Sequence, residues 1–379
     1  MSVSHSKAFD GLDEFLPLPG SVDTDSFITY RQLAGEPVAF DADSGARSNS
    51  TGSGSAAVFV LKGGPFYCMV AESDGEAAIF DAPEGTFISS TTEFPTSTLL
   101  SGSIEAILAK DTKLKYIVYS HPHWDHIGAA RLVSDHFAED EPPTIVASKR
   151  TRWALKKKEQ RDPNTSLGNN RGVPIPDKLY DAGGGQLSVG SLRFDLQAIQ
   201  GHQPGNLLMS LDKNVAENAA QGIRTSILMV VDIVYPGWSP FFLAAGARDI
   251  GSFYDALEQI NGYDFDVLIP GHVSRLGTKA DVQLQIEFYA DILKGSEVGI
   301  TAASFDDIFA GTGTLDPTNP NAGNTWLDVN ELNDRRIDAC VAYVLDSESR
   351  GRNWLAELAG VEPMLRSQCY VVLQAVLFG

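Results

Sequence analysis

The stretch Tyr116-Ile117-Val118-Tyr119-Ser120-His121-Pro122-His123-Trp124-Asp125-His126 decides the reading of this chain. A short apolar strand runs directly into a loop that holds three histidines and a carboxylate. Imidazole and carboxylate are the donor set that suits zinc, iron or manganese. Alternate residues of an extended loop project to the same side. His121 and His123 can therefore grip one ion, while Asp125 and His126 face a second position close by. The end of the apolar strand is also where α/β sheets place their sites.

On either side of this loop the pattern alternates between strands and helices. Upstream, strand signals cover 56–61, 66–71 and 77–81, separated by turn residues, and helical spacing covers 97–110. Downstream, a helix is expected over 127–137 and a strand over 144–147. Strands follow at 187–189, 192–199, 207–211 and 226–231, then a helix at 249–260, a strand at 267–269 and a helix at 279–293. Such alternation indicates α/β layering, and strands followed by a helix occur once in each half.

Three further ligand candidates sit at strand ends. His202 follows the 192–199 strand, Asp232 closes the apolar run Ile227-Leu228-Met229-Val230-Val231, and His272 follows Leu268-Ile269-Pro270-Gly271. Taken singly, an aspartate there reads as a cap and a histidine after Pro-Gly as a turn residue. In this order, after His121 to His126, all three read as ligands.

The ordered set HPHWDH, GH, D and PGH resembles the metallo-β-lactamase superfamily of hydrolases, over roughly 56–292. The resemblance implies an αββα four-layer sandwich built from two similar halves. It implies that His121, His123 and His202 bind one metal, that Asp125, His126 and His272 bind the other, and that Asp232 bridges them. Two divalent ions are thus the expected cofactors, zinc first and manganese or iron as alternatives. One position departs from the pattern. Many members carry a second histidine after the third motif, where this chain has Asn206, which bears on the contacts around the ligands rather than on the ligand set.

Two adjacent ions can share a water and bring its pKa near neutrality. The expected chemistry is attack of that hydroxide on an acyl carbon, with Asp125 orienting it and passing a proton to the leaving group. No Gly-x-Ser-x-Gly elbow supports a serine route. The loop after Asp232 holds Tyr235, Trp238, Phe241 and Phe242. Leaving a bridging residue, it is expected to line the mouth of the site. There Tyr235 would donate to the substrate carbonyl and Trp238, Phe241 and Phe242 would form an apolar wall. Packing in the core is the competing reading for these aromatics.

Composition narrows the function classes. The chain has 379 residues, 43% of them apolar and 21% charged, enough for a proper core. Lys plus Arg is 29 and Asp plus Glu is 49, a formal charge of −20, which disfavours nucleic acid and anionic membrane surfaces as partners. The expected partner is a small molecule, with a homo-oligomer allowed. No signal-peptide run or membrane span is visible, and Cys68, Cys340 and Cys369 form no CxxC pair. The expectation is three unpaired thiols in a cytoplasmic protein.

The expected organisation is an N-terminal arm and flexible loop (1–55), a catalytic domain (56–300) and a C-terminal helical extension (301–379). The catalytic domain would include a basic, lid-like insertion at 148–180, where nine Lys or Arg face three Asp or Glu. The function expected is a two-metal hydrolase of a lactone, ester or thioester. A mononuclear iron dioxygenase acting on sulfur compounds is the alternative, and a nuclease is disfavoured by charge.

Overall fold

The computed structural model describes residues 15–17, 28–40, 47, 56–83, 96–138, 141–161, 172–247, 249–304 and 325–378. Two sheets face each other. The first has eight strands in chain order: β1 (Leu16–Pro17), β2 (Ile28–Gly35), β3 (Ala57–Gly63), β4 (Phe66–Ser73), β5 (Glu76–Phe80), β6 (Lys113–Val118), β7 (Thr144–Ser148) and β8 (Lys178–Tyr180). The second runs β13 (Val267–Ile269), β12 (Ile227–Met229), β11 (Asn206–Leu211), β10 (Leu192–Ile199) and β9 (Gly185–Val189). Each sheet is an antiparallel meander that turns parallel at its far side, from β5 onward in the first and between β12 and β13 in the second.

The pleat explains the layering. In β3, Val58 and Val60 point to one side and Ala57, Phe59 and Leu61 to the other. Val58, Val60, Met69, Phe80 and Val118 meet Phe194, Leu196, Leu207, Met209 and Met229 between the sheets. Phe59, Leu61, Val70 and Ile79 pack instead against Ile104 of α1 (Thr96–Ile107) and Val133 of α3 (Ala130–His136). β4 is buried along its whole length, as a strand covered on both faces must be.

Two short helices, α5 (Ala216–Ala220) and α6 (Phe242–Gly246), follow β11 and β12. On the outer face of the second sheet, Leu228 and Leu268 pack against α7 (Ile250–Asn261) and α8 (Lys279–Ala302). The C-terminal helices α9 (Thr325–Leu345), α10 (Ser347–Arg350), α11 (Trp354–Glu357) and α12 (Val361–Phe378) extend that layer, adding Val344, Trp354, Leu365 and Leu373 to one continuous core. The result is the metallo-β-lactamase fold, an αββα sandwich with a helical region at its C-terminal end.

Several expectations change. The 127–137 helix is two pieces, α2 (Trp124–Ile127) and α3, and the 226–231 strand is regular only over Ile227–Met229. Of the arm, Ile28–Gly35 is a full strand paired to β3 from Ile28↔Gly63 to Gly35↔Ala57. Of the basic insertion at 148–180, residues 148–161 and 172–180 are described. They form α4 (Lys149–Arg161), directly after β7, and the edge strand β8. Leu155 and Thr151 of α4 are buried while Lys149, Arg150, Lys156 and Lys157 face solvent, so its charges make a solvated face. His5, the stretch 41–55 apart from Arg47, and the 305–324 loop lie outside the described residues.

The cysteine expectation is corrected too. Cys340 and Cys369 form a disulfide between α9 and α12, with Cα atoms 6.1 Å apart, and only Cys68 is free and buried. The packing of two helices brings together positions 29 residues apart, a proximity that spacing does not reveal. Among the described residues no helix is long and apolar enough to cross a membrane.

Candidate metal centre

The strand ends assemble the site. After β5 the chain turns at Asp81, after β6 it enters Ser120 to His126, and β10 delivers His202. The apolar run after β12 delivers Asp232, and Pro270-Gly271 after β13 delivers His272. Two backbone bonds join the halves at this level: Leu207 N–H donates to Ser120 O at 2.7 Å, and Tyr67 N–H to Gly271 O at 3.0 Å. Gly271 has φ +86°, and a Cβ there would stand 2.5 Å from Val231. Only glycine allows this turn to lay His272 against the Asp232 loop.

All seven sequence-derived ligand positions converge. They fall into two groups, His121, His123, His202 and Asp232 in one and Asp125, His126 and His272 in the other, each with its donor atoms within 4.8 Å of one another. In the first group His202 Nε2 is 3.0 Å from His123 Nδ1. In the second, His126 Nε2 is 2.9 Å from His272 Nε2, and Asp125 Oδ2 lies 3.4 Å from His272 Nε2 and 3.5 Å from His126 Nε2.

Asp232 touches both groups. Its Oδ2 is 3.5 Å from His121 Nε2, 3.4 Å from His202 Nε2 and 3.1 Å from His126 Nε2, while Oδ1 is 3.2 Å from His272 Nε2. His121 Nε2 and Asp232 Oδ1 are buried and have no hydrogen-bond partner. Buried polar atoms are seldom left so, and five imidazoles with two carboxylates are the chemistry that divalent metals take. The residues present fit a pair of such ions.

The charges are coupled across the cluster. Burial opposes ionisation of Asp232, but the facing His126 and His272 imidazoles outweigh it and hold this carboxyl well below its ordinary range. Asp125 goes down to about 2 for the same reason, burial being overcome by His126 and His272. Burial works against a charged His126, yet Asp232 and Asp125 push it up to about 10. His123 drops to about 3 through burial and the neighbouring His202. His121 also falls well below the histidine range, through burial and then His123.

Asp81 was not singled out by sequence. It is fully buried, accepts from Ser120 N at 2.7 Å and from Ser120 Oγ at 2.7 Å, and lies 3.8 Å from His126 Nδ1. Ser120 Oγ in turn is 3.0 Å from His121 Nδ1. Asp81 therefore stands behind two candidate ligands, His121 through Ser120 and His126 directly, and such outer contacts orient ligand rings. Burial raises its pKa to about 6, against the lowering effect of His126 and Ser120. The signal was available: Ala77-Ala78-Ile79-Phe80-Asp81 is an apolar strand closed by aspartate, as at Asp232. Asn206, in place of the family's histidine, is buried and donates from Nδ2 to Val231 O at 3.1 Å. It braces the run that carries Asp232.

The Asp232 loop lies beside the cluster. Tyr235 is buried, its hydroxyl has no hydrogen-bond partner, and burial with the Asp232 charge holds it well above the tyrosine range. Its ring centroid is 5.2 Å from that of Phe241, which is 39% exposed and 5.5 Å from His272. Phe66 adds a second aromatic ring, 4.8 Å from His272. Trp238 is half-buried, packs on the helical core and donates from Nε1 to Ser274 Oγ at 3.1 Å, a placement that favours packing. The side chain of Phe242 lies outside the described residues.

Residues 62–212 match the family model described as the metallo-beta-lactamase superfamily, a span holding five of the seven ligand positions. Hydroxyacylglutathione hydrolase GloC of Haemophilus influenzae is 27% identical over 119 residues, 30% of this chain and 52% of the relative. The chain thus spans about half the length of the curated relative it matches. A beta-lactamase domain protein from Burkholderia ambifaria aligns over 96% of this chain and 91% of its own at 13% identity, with a TM-score of 0.49. The metallo-β-lactamase MIM-1 from Novosphingobium pentaromativorans aligns over 62% and 85% at 16% identity, with a TM-score of 0.44. With its sandwich fold and its two donor groups, the chain is similar to the metallo-beta-lactamase superfamily, whose family model matches residues 62–212.

Proposed function

We propose that the chain is a two-metal hydrolase of a small, uncharged or amphipathic acyl compound, a thioester, lactone or ester. The observation that carries this reading is Asp232, whose two oxygens reach both donor groups. His121, His123 and His202 would hold one ion, and Asp125, His126 and His272 the other. Bound there, two divalent ions, zinc first, would supply Lewis acidity and a water acidified towards neutral pH.

The protein's own groups do the rest. Asp125 is partly exposed while the histidines beside it are buried, so it faces the open side of the cluster. From there it can orient the attacking water and pass a proton to a leaving group. Tyr235 has a hydroxyl free to donate to a substrate oxygen. Phe241, 39% exposed and 5.5 Å from His272, offers apolar surface at the mouth, which suits a hydrocarbon-bearing acyl group better than a polyanion. The thioester arm is supported by the likeness to a hydroxyacylglutathione hydrolase.

The test combines elemental analysis with a panel of thioesters, lactones and nitrophenyl esters. About two ions per chain and hydrolysis of one panel class are expected. One ion at full occupancy, with no acyl hydrolysis, would retire this reading in favour of the mononuclear iron dioxygenase.

A further inference from the structure

The loop carrying Phe241 is held by the C-terminal helix α12, which lies outside the span matched by the family model. Gln368, on α12, is completely buried. Its Nε2 donates to Ser239 Oγ at 2.9 Å and to Pro240 O at 2.6 Å, and its Oε1 accepts from Ser239 Oγ at 3.3 Å. The neighbouring Ser367 accepts from Leu243 N at 3.0 Å through its Oγ. Just before α12, Ala359 accepts from Ser239 N at 2.8 Å and donates to Gly237 O at 2.9 Å. Phe241 is thus held from both sides, at 239–240 by Gln368 and at 243 by Ser367.

The held segment is strained. Leu243, Ala244 and Ala245 all have left-handed φ, at 54°, 51° and 59°, a conformation that non-glycine residues keep only when their surroundings over-determine it. Such a turn relaxes when its restraints go, and Phe241 lies two residues before it. The ring of Phe241 packs edge-on between Tyr235, 5.2 Å away, and His272, 5.5 Å away, with its remaining side exposed.

We propose that Gln368 is a positioning residue: through Ser239 and Pro240 it fixes Phe241 as the aromatic wall over His272, so that the C-terminal helix sets the preference of the site for aromatic or apolar substituents. This rests on the hydrolase reading above for the role of the wall, but not for the mechanical link. Gln368 touches none of the candidate ligands, so its loss should change selectivity and leave metal binding intact.

The experiment uses the full chain with cobalt(II) loaded and two thiol probes, thiophenol and 2-mercaptoethanol, titrated by visible absorption. Wild type should prefer thiophenol. Gln368→Ala should cut that preference about tenfold at unchanged cobalt content, and Ser239→Ala should cut it less, because the bond to Pro240 survives. In a Phe241→Ala background, Gln368→Ala should have no further effect, since the two changes act through one ring. Hydrogen exchange at the amides of Ser239 and Leu243 tests the link without metal or turnover, and Gln368→Ala should speed it at least tenfold. If Gln368→Ala fails to fold, Ser239→Ala carries both measurements. Failure to load cobalt would count against the hydrolase reading alone. Unchanged exchange, an unchanged thiol preference, or an effect fully additive with Phe241→Ala would overturn the role of Gln368.

Discussion

Asp81 and Asp232 adopt the same left-handed backbone, φ 63° and 62°, each closing an apolar run in its own half of the molecule. Each also donates its backbone N–H to a carbonyl of the adjacent parallel chain segment, Asp81 to Val118 O at 2.8 Å and Asp232 to Pro270 O at 3.1 Å. The two halves therefore use one device twice. The turn costs about 1–2 kcal/mol in a residue with a Cβ, and it drops a carboxylate into the seam between the sheets. In one half the carboxylate braces histidines from behind; in the other it stands among them.

That difference of place predicts a difference of effect. Asp232→Ala removes the one group that reaches both donor sets. Elemental analysis should show loss of metal, and the best panel substrate should be turned over several orders of magnitude more slowly. Two ions retained with near-normal turnover would disprove the bridging role.

Asp81→Asn should be milder. The amide keeps the shape and can still accept from Ser120, but it loses the charge facing His126. Metal affinity should fall about 10–100-fold, measured by competition with a chromophoric chelator. Ser120→Ala, which removes the relay to His121, should fall in the same range. Affinities equal to wild type in both variants would show that the histidine rings are oriented by packing alone.

The contrast between these aspartates also shows how far the sequence could be read. The seven candidate ligand positions were legible because histidine is scarce and they follow apolar strands, four in the one loop after Val118 and His202, Asp232 and His272 each after a strand of its own. Asp81 ends such a strand too, but aspartate is common in turns, and its meaning depends on Ser120 lying beside it in the adjacent parallel strand's loop. The layers were legible from apolar runs in β3, β4 and β12. The strand Ile28–Gly35 was not, because its alternation lasts only from Ile28 to Arg31 and breaks at Gln32, where the pairing with β3 also shifts register. The disulfide and the anchoring by Gln368 depend on how α12 packs, a relation with no local signature.

Phe241 and Trp238 looked alike in the sequence, and the structure separates them. Phe241→Ala should raise KM about tenfold, with kcat and melting temperature little changed, because an exposed wall contributes to binding and little to folding. Trp238→Ala should do the opposite, costing about 2–4 kcal/mol of stability through lost packing against the helical core. Thermal melts beside steady-state kinetics distinguish them. If Trp238→Ala melts like wild type and raises KM, it belongs to the pocket after all.

The bridge between Cys340 and Cys369 closes a loop of 29 residues. By loop-closure entropy such a link stabilises the folded chain by about 3–4 kcal/mol. Cys340→Ser/Cys369→Ser should lower the midpoint of denaturant unfolding accordingly, and a thiol titration of the denatured wild-type chain without reductant should find one reactive cysteine. Three reactive thiols would refute the pairing.

Tyr235→Phe sets stability against catalysis at one atom. The hydroxyl is buried, has no hydrogen-bond partner and sits beside the Asp232 charge. A buried polar group without a partner destabilises the fold, so removing this one should leave the melting temperature unchanged or raise it. The ring, which packs on Phe241, is kept, so KM should stay within about threefold of wild type. If the hydroxyl donates to the substrate oxygen as negative charge builds there, kcat should fall by about 10²-fold, the usual cost of losing one such donor. A structural hydroxyl would give the reverse pattern, a lower melting temperature and unchanged kcat. The variant is therefore decisive when both are measured: wild-type kcat in a protein of equal or greater stability would remove Tyr235 from the catalytic set and leave Asp125 as its remaining candidate proton carrier.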